Sequence, residues 1–102
     1  MDPDCIFLNR GNHEGRNMNK LYGFDGEAKA KYCGTTLDMW AHSFDRLTLC
    51  HLLNKKVFVV HGGLFAEDNV TLDDIAKIKR GRDIPESGPF CDMLWSDPSK
   101  SN

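Results

Sequence analysis

Nothing in the 102-residue sequence approaches the roughly 20 consecutive apolar residues of a membrane span. No membrane-embedded part is expected. The opening "MDPDCIF" has neither a basic leader nor a long apolar core, so no targeting peptide is expected either. Charge of one sign is also missing: 13 basic residues meet 15 acidic ones, for a net charge of -2. Without a basic field, nucleic acid and anionic membranes are not expected as partners. Cysteine is sparse and scattered, at Cys5, Cys33, Cys50 and Cys91, with no C-x-x-C pair. Free thiols in a reducing compartment, cytoplasmic or nuclear, are the expectation. A zinc site built from these cysteines and nearby histidines is the alternative, but the usual short ligand spacings are absent. There is no internal repeat and no low-complexity tract.

What remains is an ordinary globular composition, 40% hydrophobic and 27% charged. The length suits one domain or a piece of one. "CIFL" at residues 5–8 reads as a buried strand. Asn17 can cap a short helix carrying Met18, Leu21 and Tyr22, stopped by Gly23. Asp25 can cap a second helix ending near Gly34. Thr35 or Thr36 opens a third, whose Leu37, Trp40, Ala41 and Phe44 form one apolar stripe. Trp40 and Phe44 therefore read as core. "VFVV" at residues 57–60 is apolar on both alternating faces, as a central strand covered on both sides would be. "TLDDIAKIKRG" reads as a helix capped by Thr71, with Asp73 and Asp74 in its first turn. Lys77, Lys79 and Arg80 would lie near its negative end, and Gly81 would close it. The basic run at residues 77–82 is read as dipole-matched surface charge rather than a nucleic-acid patch. "FCDMLWSDP" is a strand-like apolar segment. The order is strand, helices, strand, helix, strand-like segment, which makes an α/β fold.

Two polar stretches sit where these two strands end, a common place for chemistry. In the first, "RGNHEG", Gly11 gives backbone freedom. Asn12 offers a neutral amide oxygen, a ligand that leaves more Lewis acidity on a cation than a carboxylate does. His13 can donate a proton to a departing oxygen, because its ordinary pKa lies near 6.5. Glu14 reads as an orienting group as readily as a direct participant. In the second stretch, "HGG", His61 is a nitrogen ligand, and Gly62 and Gly63 let the backbone lie close to a metal and its substrate. Alone, the first stretch also reads as a polar turn with local hydrogen bonds, and His61 as a hydrogen-bonded structural histidine. His42 and His51 follow helical apolar residues and are taken as structural or surface.

"RGNHE" after a strand, "YGF" shortly after it, "HGGL" after a second strand and "LWSDP" near the end together resemble the phosphoprotein phosphatase family. These are metal-dependent serine/threonine phosphatases of the calcineurin-like metallophosphoesterase fold. "NMN", "GEAKAKY" and "GGLFAEDNVTLDDIAKI" are similar to the type 5 branch of that family. The resemblance implies that Asn12 and His61 are ligands of one metal and that His13 is the proton donor to the leaving serine or threonine oxygen. Trp95 and Asp97 match a segment bordering the substrate groove. It further implies two divalent metal ions (manganese, iron or zinc) and hydrolysis of phosphoserine and phosphothreonine in protein substrates by an activated hydroxide, without a phosphoenzyme. A chaperone partner, bound through a tetratricopeptide domain that residues 1–102 do not contain, is an inherited expectation. Asn9 departs from the pattern, which leads one to expect an apolar residue there.

The same resemblance calls for G-D-x-H-G and G-D-x-x-D-R-G motifs, and neither occurs in the sequence. Residues 1–102 are therefore expected to be a central segment of a metallophosphatase catalytic domain, with a partial calcineurin-like fold and little activity alone. The alternatives are a non-catalytic fragment and a metallophosphoesterase acting on nucleotides.

Overall fold

The computed structural model of the chain describes residue 2 and residues 4–99. Its elements in chain order are α1 (Arg16–Leu21), α2 (Phe24–Lys31), α3 (Gly34–Arg46), β1 (Cys50–Leu53), β2 (Val57–Val60), α4 (Leu72–Ala76) and α5 (Pro89–Trp95). β1 and β2 form a two-stranded antiparallel hairpin in which Cys50 faces Val60 and Leu53 faces Val57. The hairpin turns on Asn54 and Lys55, whose φ values of 50° and 57° are both left-handed. The Lys56 N–H closes the turn on the Leu53 carbonyl at 3.0 Å. Turns with two left-handed residues match the twist of the flanking strands, and Asn is among the residues that tolerate that conformation.

The core is built by α5. Gly88 at its N-cap has a φ of 89°, and Pro89 fills the first turn, where a missing N–H costs nothing. Phe90, Met93 and Leu94 then fall on one face and are buried together with Leu49. Full burial of side chains this size is worth about 1.5–3 kcal/mol each. Cys50, Phe58, Val60, Phe65, Ile75, Ile78 and Ile84 pack around them. One face of the hairpin therefore covers α5.

Several sequence expectations change. Residues 5–8 form no strand: Ile6, Phe7 and Leu8 are exposed. Their extended backbone meets the hairpin region at a single parallel bridge, Asn9 to Thr48. An apolar run needs a paired strand and a cover to become a buried strand; here Phe7 rests edge-on against His51 of β1 but stays 65% exposed. Val57–Val60 is not a central strand, because Val57 and Val59 are exposed and only Phe58 and Val60 face the core. Residues 90–95 are helical, not strand-like. His51 lies in β1, where its Nδ1 donates to Asn9 Oδ1 at 2.5 Å. Asn9 Nδ2 also donates to the Val59 carbonyl at 3.1 Å, so the unexpected polar residue ties both strands.

The helix ends differ too. Glycines, not Asn17 and Asp25, stand at the N-caps of α1 and α2 (Gly15 and Gly23). Asn17 and Asp25 lie inside the first turns. Cys33 caps α3 one residue before Gly34. Along α3 the buried positions are Ala41 and Asp45, whereas Trp40 is half exposed and rests against Phe44 with ring centroids 5.8 Å apart. α4 does begin at the Thr71 cap, with a complete Thr71–Asp74 capping box, but it stops at Lys77. Arg80 lies beyond it and donates to the Leu47 and Arg46 carbonyls at 3.1 and 3.3 Å. That cation serves the negative end of α3 rather than of its own helix.

Candidate metal centre

The loop of residues 10–15 is folded around its own polar groups. The Gly11 N–H donates to Glu14 Oε2 at 2.8 Å, and the Glu14 N–H donates to the Gly11 carbonyl at 3.2 Å. Glu14 thus acts as the clasp of the turn that carries Asn12 and His13. Beneath it lies Arg10, 1% exposed. Its Nε donates to the Glu14 carbonyl at 2.8 Å, its Nη1 to the Arg82 carbonyl at 2.8 Å and its Nη2 to Asp45 Oδ1 at 3.1 Å. Arg16 holds the other Asp45 oxygen at 2.6 Å. Burial pulls the Arg10 guanidinium below its ordinary pKa, while Asp45 and Asp83 pull it back up. The hydrogen bond to Asp45 raises Arg16, with partial desolvation opposing it. A buried charge is tolerable only when it is paired and hydrogen-bonded, and this network does both.

β2 delivers the second candidate residue. It ends at Val60, and the next residue, His61, extends over the first loop. A Cβ on Gly11 would lie 3.1 Å from His61 Cε1 and 2.5 Å from Glu14 Oε2. Gly11 therefore makes room for the imidazole and the carboxylate clasp. Gly62 and Gly63 have a packing role that the sequence did not suggest. A Cβ on Gly62 would meet the backbone of Leu94 and Trp95, and one on Gly63 would meet Ser96. The Gly62 N–H also donates to the Met93 carbonyl at 2.7 Å. Their small size lets the strand end dock on the C-terminus of α5, which fixes where His61 emerges.

The two stretches converge. His61 Nε2 lies 3.0 Å from Asn12 Oδ1. The amide oxygen can only accept, so the imidazole carries its proton on Nε2 in this arrangement. Both atoms are also metal donors. Two donors bound at roughly 2.1 Å and at right angles to one cation sit about 3.0 Å apart. The pair therefore fits adjacent positions around a single divalent ion, which would take the place of the shared proton. Among the described residues no group of three His, Cys, Asp or Glu side chains gathers as a metal site. The cysteine–histidine zinc alternative finds no such cluster, and the four thiols are free.

His13, on the same turn as Asn12, is solvent-exposed. Its ring leans on Tyr22 with centroids 4.7 Å apart and planes 35° apart. Trp95 and Asp97 line different cavities. Trp95 lines a cavity of about 330 Å³ with Gly15, Met18, Ile84 and Cys91. Asp97 lines another, with Gly63, Leu64 and Asp92. Burial in the first cavity pushes the Cys91 thiol up, and Asp92 adds to the effect.

The sequence reading missed Asp45 and Asn19. Asp45 is a helical carboxylate with an ordinary surface pattern, and only folding reveals its two arginine partners. Asn19 is 6% exposed in α1. In the amide orientation that satisfies its neighbours, its Nδ2 donates to the His13 carbonyl at 2.8 Å and the Gly15 carbonyl at 3.3 Å. The only signal available in the sequence was an asparagine set among helix-forming residues just after the polar loop.

Similarity to known proteins identifies the family. A family model described as calcineurin-like phosphoesterase matches residues 2–102. Over 100 residues the chain is 55% identical to serine/threonine-protein phosphatase 5 of Homo sapiens, covering 98% of this chain and 20% of that protein. It is 53% identical over 96 residues to serine/threonine-protein phosphatase T of Trypanosoma brucei brucei, covering 94% of this chain and 20% of that one. A solved protein serine/threonine phosphatase from Saccharomyces cerevisiae, described as similar to human phosphatase PP5, superimposes with a TM-score of 0.93 at 46% identity. The match covers 98% of this chain and 32% of that one. The chain thus spans about a fifth of the length of these curated relatives.

Proposed function

The chain belongs to the calcineurin-like phosphoesterase family, and from that premise we propose that it supplies part of the metal centre of a protein serine/threonine phosphatase. The observation that carries the reading is the 3.0 Å approach of Asn12 Oδ1 and His61 Nε2 from two separate strand-end loops. The names of the relatives supply the substrate class, phosphoserine and phosphothreonine in proteins.

In this reading Asn12 and His61 hold one divalent cation of a pair, which could be manganese, iron or zinc. The cations supply Lewis-acid polarisation of the phosphate. Asn12 contributes an oxygen without adding negative charge, so the site stays attractive to a phosphate dianion. To bind through Nε2, His61 would take the other neutral tautomer, with its one ring proton moved to Nδ1. His13 is the general acid. Its ring is exposed to an arriving phosphoprotein and gives its proton to the alkoxide of the departing serine or threonine. Hydrolysis is direct, so no cysteine or serine nucleophile is required. Trp95 and Asp97 border separate parts of the substrate surface.

Two ligands cannot hold a divalent ion tightly or place a second one, so the other donors come from outside residues 1–102. Residues 1–102 are then a central segment of the catalytic domain, and the isolated chain behaves as a non-catalytic fragment. The cell compartment that suits four free thiols is the cytoplasm or nucleus, and a chaperone contact would engage sequence outside this segment.

The test is hydrolysis of a phosphothreonine peptide and of a nucleotide monoester, each with added manganese. The chain alone should release no phosphate above the manganese blank. A longer polypeptide from the same gene should hydrolyse the peptide and lose at least about a hundredfold in rate on His13→Ala. Saturable turnover by the chain alone, preference for the nucleotide, or full activity without His13 would each overturn the reading.

A further inference from the structure

We propose that Asn19 is a positioning residue for His13, an inference that rests on the phosphatase reading for its purpose but not for its geometry. His13 is the exposed end of a short loop, and an exposed imidazole has no packing to fix its direction. α1 supplies that direction from one face. Asn19 and Tyr22 are three residues apart, so they stand side by side on the helix. Asn19 Nδ2 donates to the His13 carbonyl at 2.8 Å, which holds the residue's main chain. Tyr22 lies against the His13 ring at 4.7 Å, which holds its side chain.

The helix itself has no use for asparagine here. Asn is a poor helix former, and its amide must be desolvated to sit at 6% exposure. An apolar residue would fill the position with less desolvation. What the amide adds is a pair of N–H donors, and both are spent on the loop, one on His13 and one on Gly15. Its backbone N–H also bonds to the Gly15 carbonyl at 2.9 Å, as the first turn of α1 requires. The side chain therefore extends the helix's own hydrogen-bonding pattern back by two residues, to the proton donor. Arg10 and Glu14 brace the other side of the loop, through the Glu14 carbonyl and the Gly11 N–H. His13 is held between these two braces without any metal.

The experiment is NMR on the metal-free 102-residue chain. The imidazole C–H resonances of His13 carry a ring-current shift from Tyr22, defined by difference from a Tyr22→Leu variant. Asn19→Leu keeps the volume and removes both donors. It is expected to abolish most of that shift while the amide pattern of α3, β1 and β2 stays in place. A merely structural asparagine would lower the unfolding midpoint and leave the His13 shift intact in the folded molecules, and that result would overturn the proposal. If Asn19→Leu fails to fold, the unmodified chain decides. Its Asn19 side-chain protons should be slow to exchange and show a through-bond coupling to the His13 carbonyl carbon. Fast exchange with no coupling would also overturn the proposal. Neither readout involves metal or substrate, so failure here leaves the phosphatase reading standing, and failure of that reading leaves this contact standing.

Discussion

At Gly62 a methyl group would lie 2.7 Å from the Leu94 carbonyl carbon and 2.8 Å from the Trp95 nitrogen. These are backbone atoms of the helix that forms the core, and they cannot swing aside. At Gly26, inside α2, a methyl group would meet nothing within 4 Å. The two glycines should respond oppositely to the same change. Gly62→Ala should lower stability by about 3 kcal/mol, the upper end of overpacking costs. Gly26→Ala should raise it by about 0.5–1 kcal/mol, because alanine loses less backbone entropy in a helix. Urea titration of both variants checks this, and equal midpoints would contradict it. At this scale the sequence was partly legible. Asn12, His13 and His61 stand out because their chemistry is local and their neighbours are glycines. The reason for Gly62 was not legible, since it depends on the end of α5 lying beneath it. The burial of Arg10 was not legible either. An arginine is normally exposed, and its partners Asp45 and Arg82 are distant in sequence.

Among the elements, α4 shows how closely a local signal can set a boundary. The Thr71 side chain accepts from the Asp74 N–H at 3.2 Å, and Asp74 Oδ2 accepts from the Thr71 N–H at 2.9 Å. The Thr71 hydroxyl and then its N–H hold the Asp74 carboxyl below its ordinary value of 3.8. A carboxylate whose folded pKa is depressed stabilises the fold above its unfolded pKa, and the benefit is lost as pH falls through the folded pKa. The helicity of α4, followed by carbonyl chemical shifts, should therefore exceed that of an Asp74→Asn variant at about pH 6. The gap should close as pH drops below about 4. A gap that stays constant to about pH 3 would contradict this assignment. The start of α4 was readable because a cap needs only four residues. Its end was not, because Arg80 is drawn away to the C-terminus of α3. α5 was misread as strand-like for a related reason. Phe90, Met93 and Leu94 keep helical spacing, but Cys91 and Trp95 fill the gaps with further apolar side chains and blur the period. β1 was hidden because "CHLL" is short and begins only a few residues after a helical stripe.

Across the whole molecule, the α/β content and the family were legible, while the layering was not. Residues 5–8 and 57–60 have the composition of buried strands, yet Phe7, Leu8, Val57 and Val59 are exposed. Composition reports what a segment is suited to pack against, and only coordinates report whether a partner is there. No helix among the described residues is long and apolar enough to cross a membrane. The approach of Asn12 and His61 survives this open packing because it is fixed from below, by Gly62 on α5 and by Arg10 on Asp45. The central claim is that Asn12 and His61 face one cation. Titration of the chain with manganese, followed by paramagnetic broadening of side-chain resonances, tests it most directly. The account predicts weak binding that broadens the Asn12 amide and the His61 imidazole together and disappears in His61→Ala. Broadening confined to surface carboxylates, with both of these signals left sharp, would contradict it.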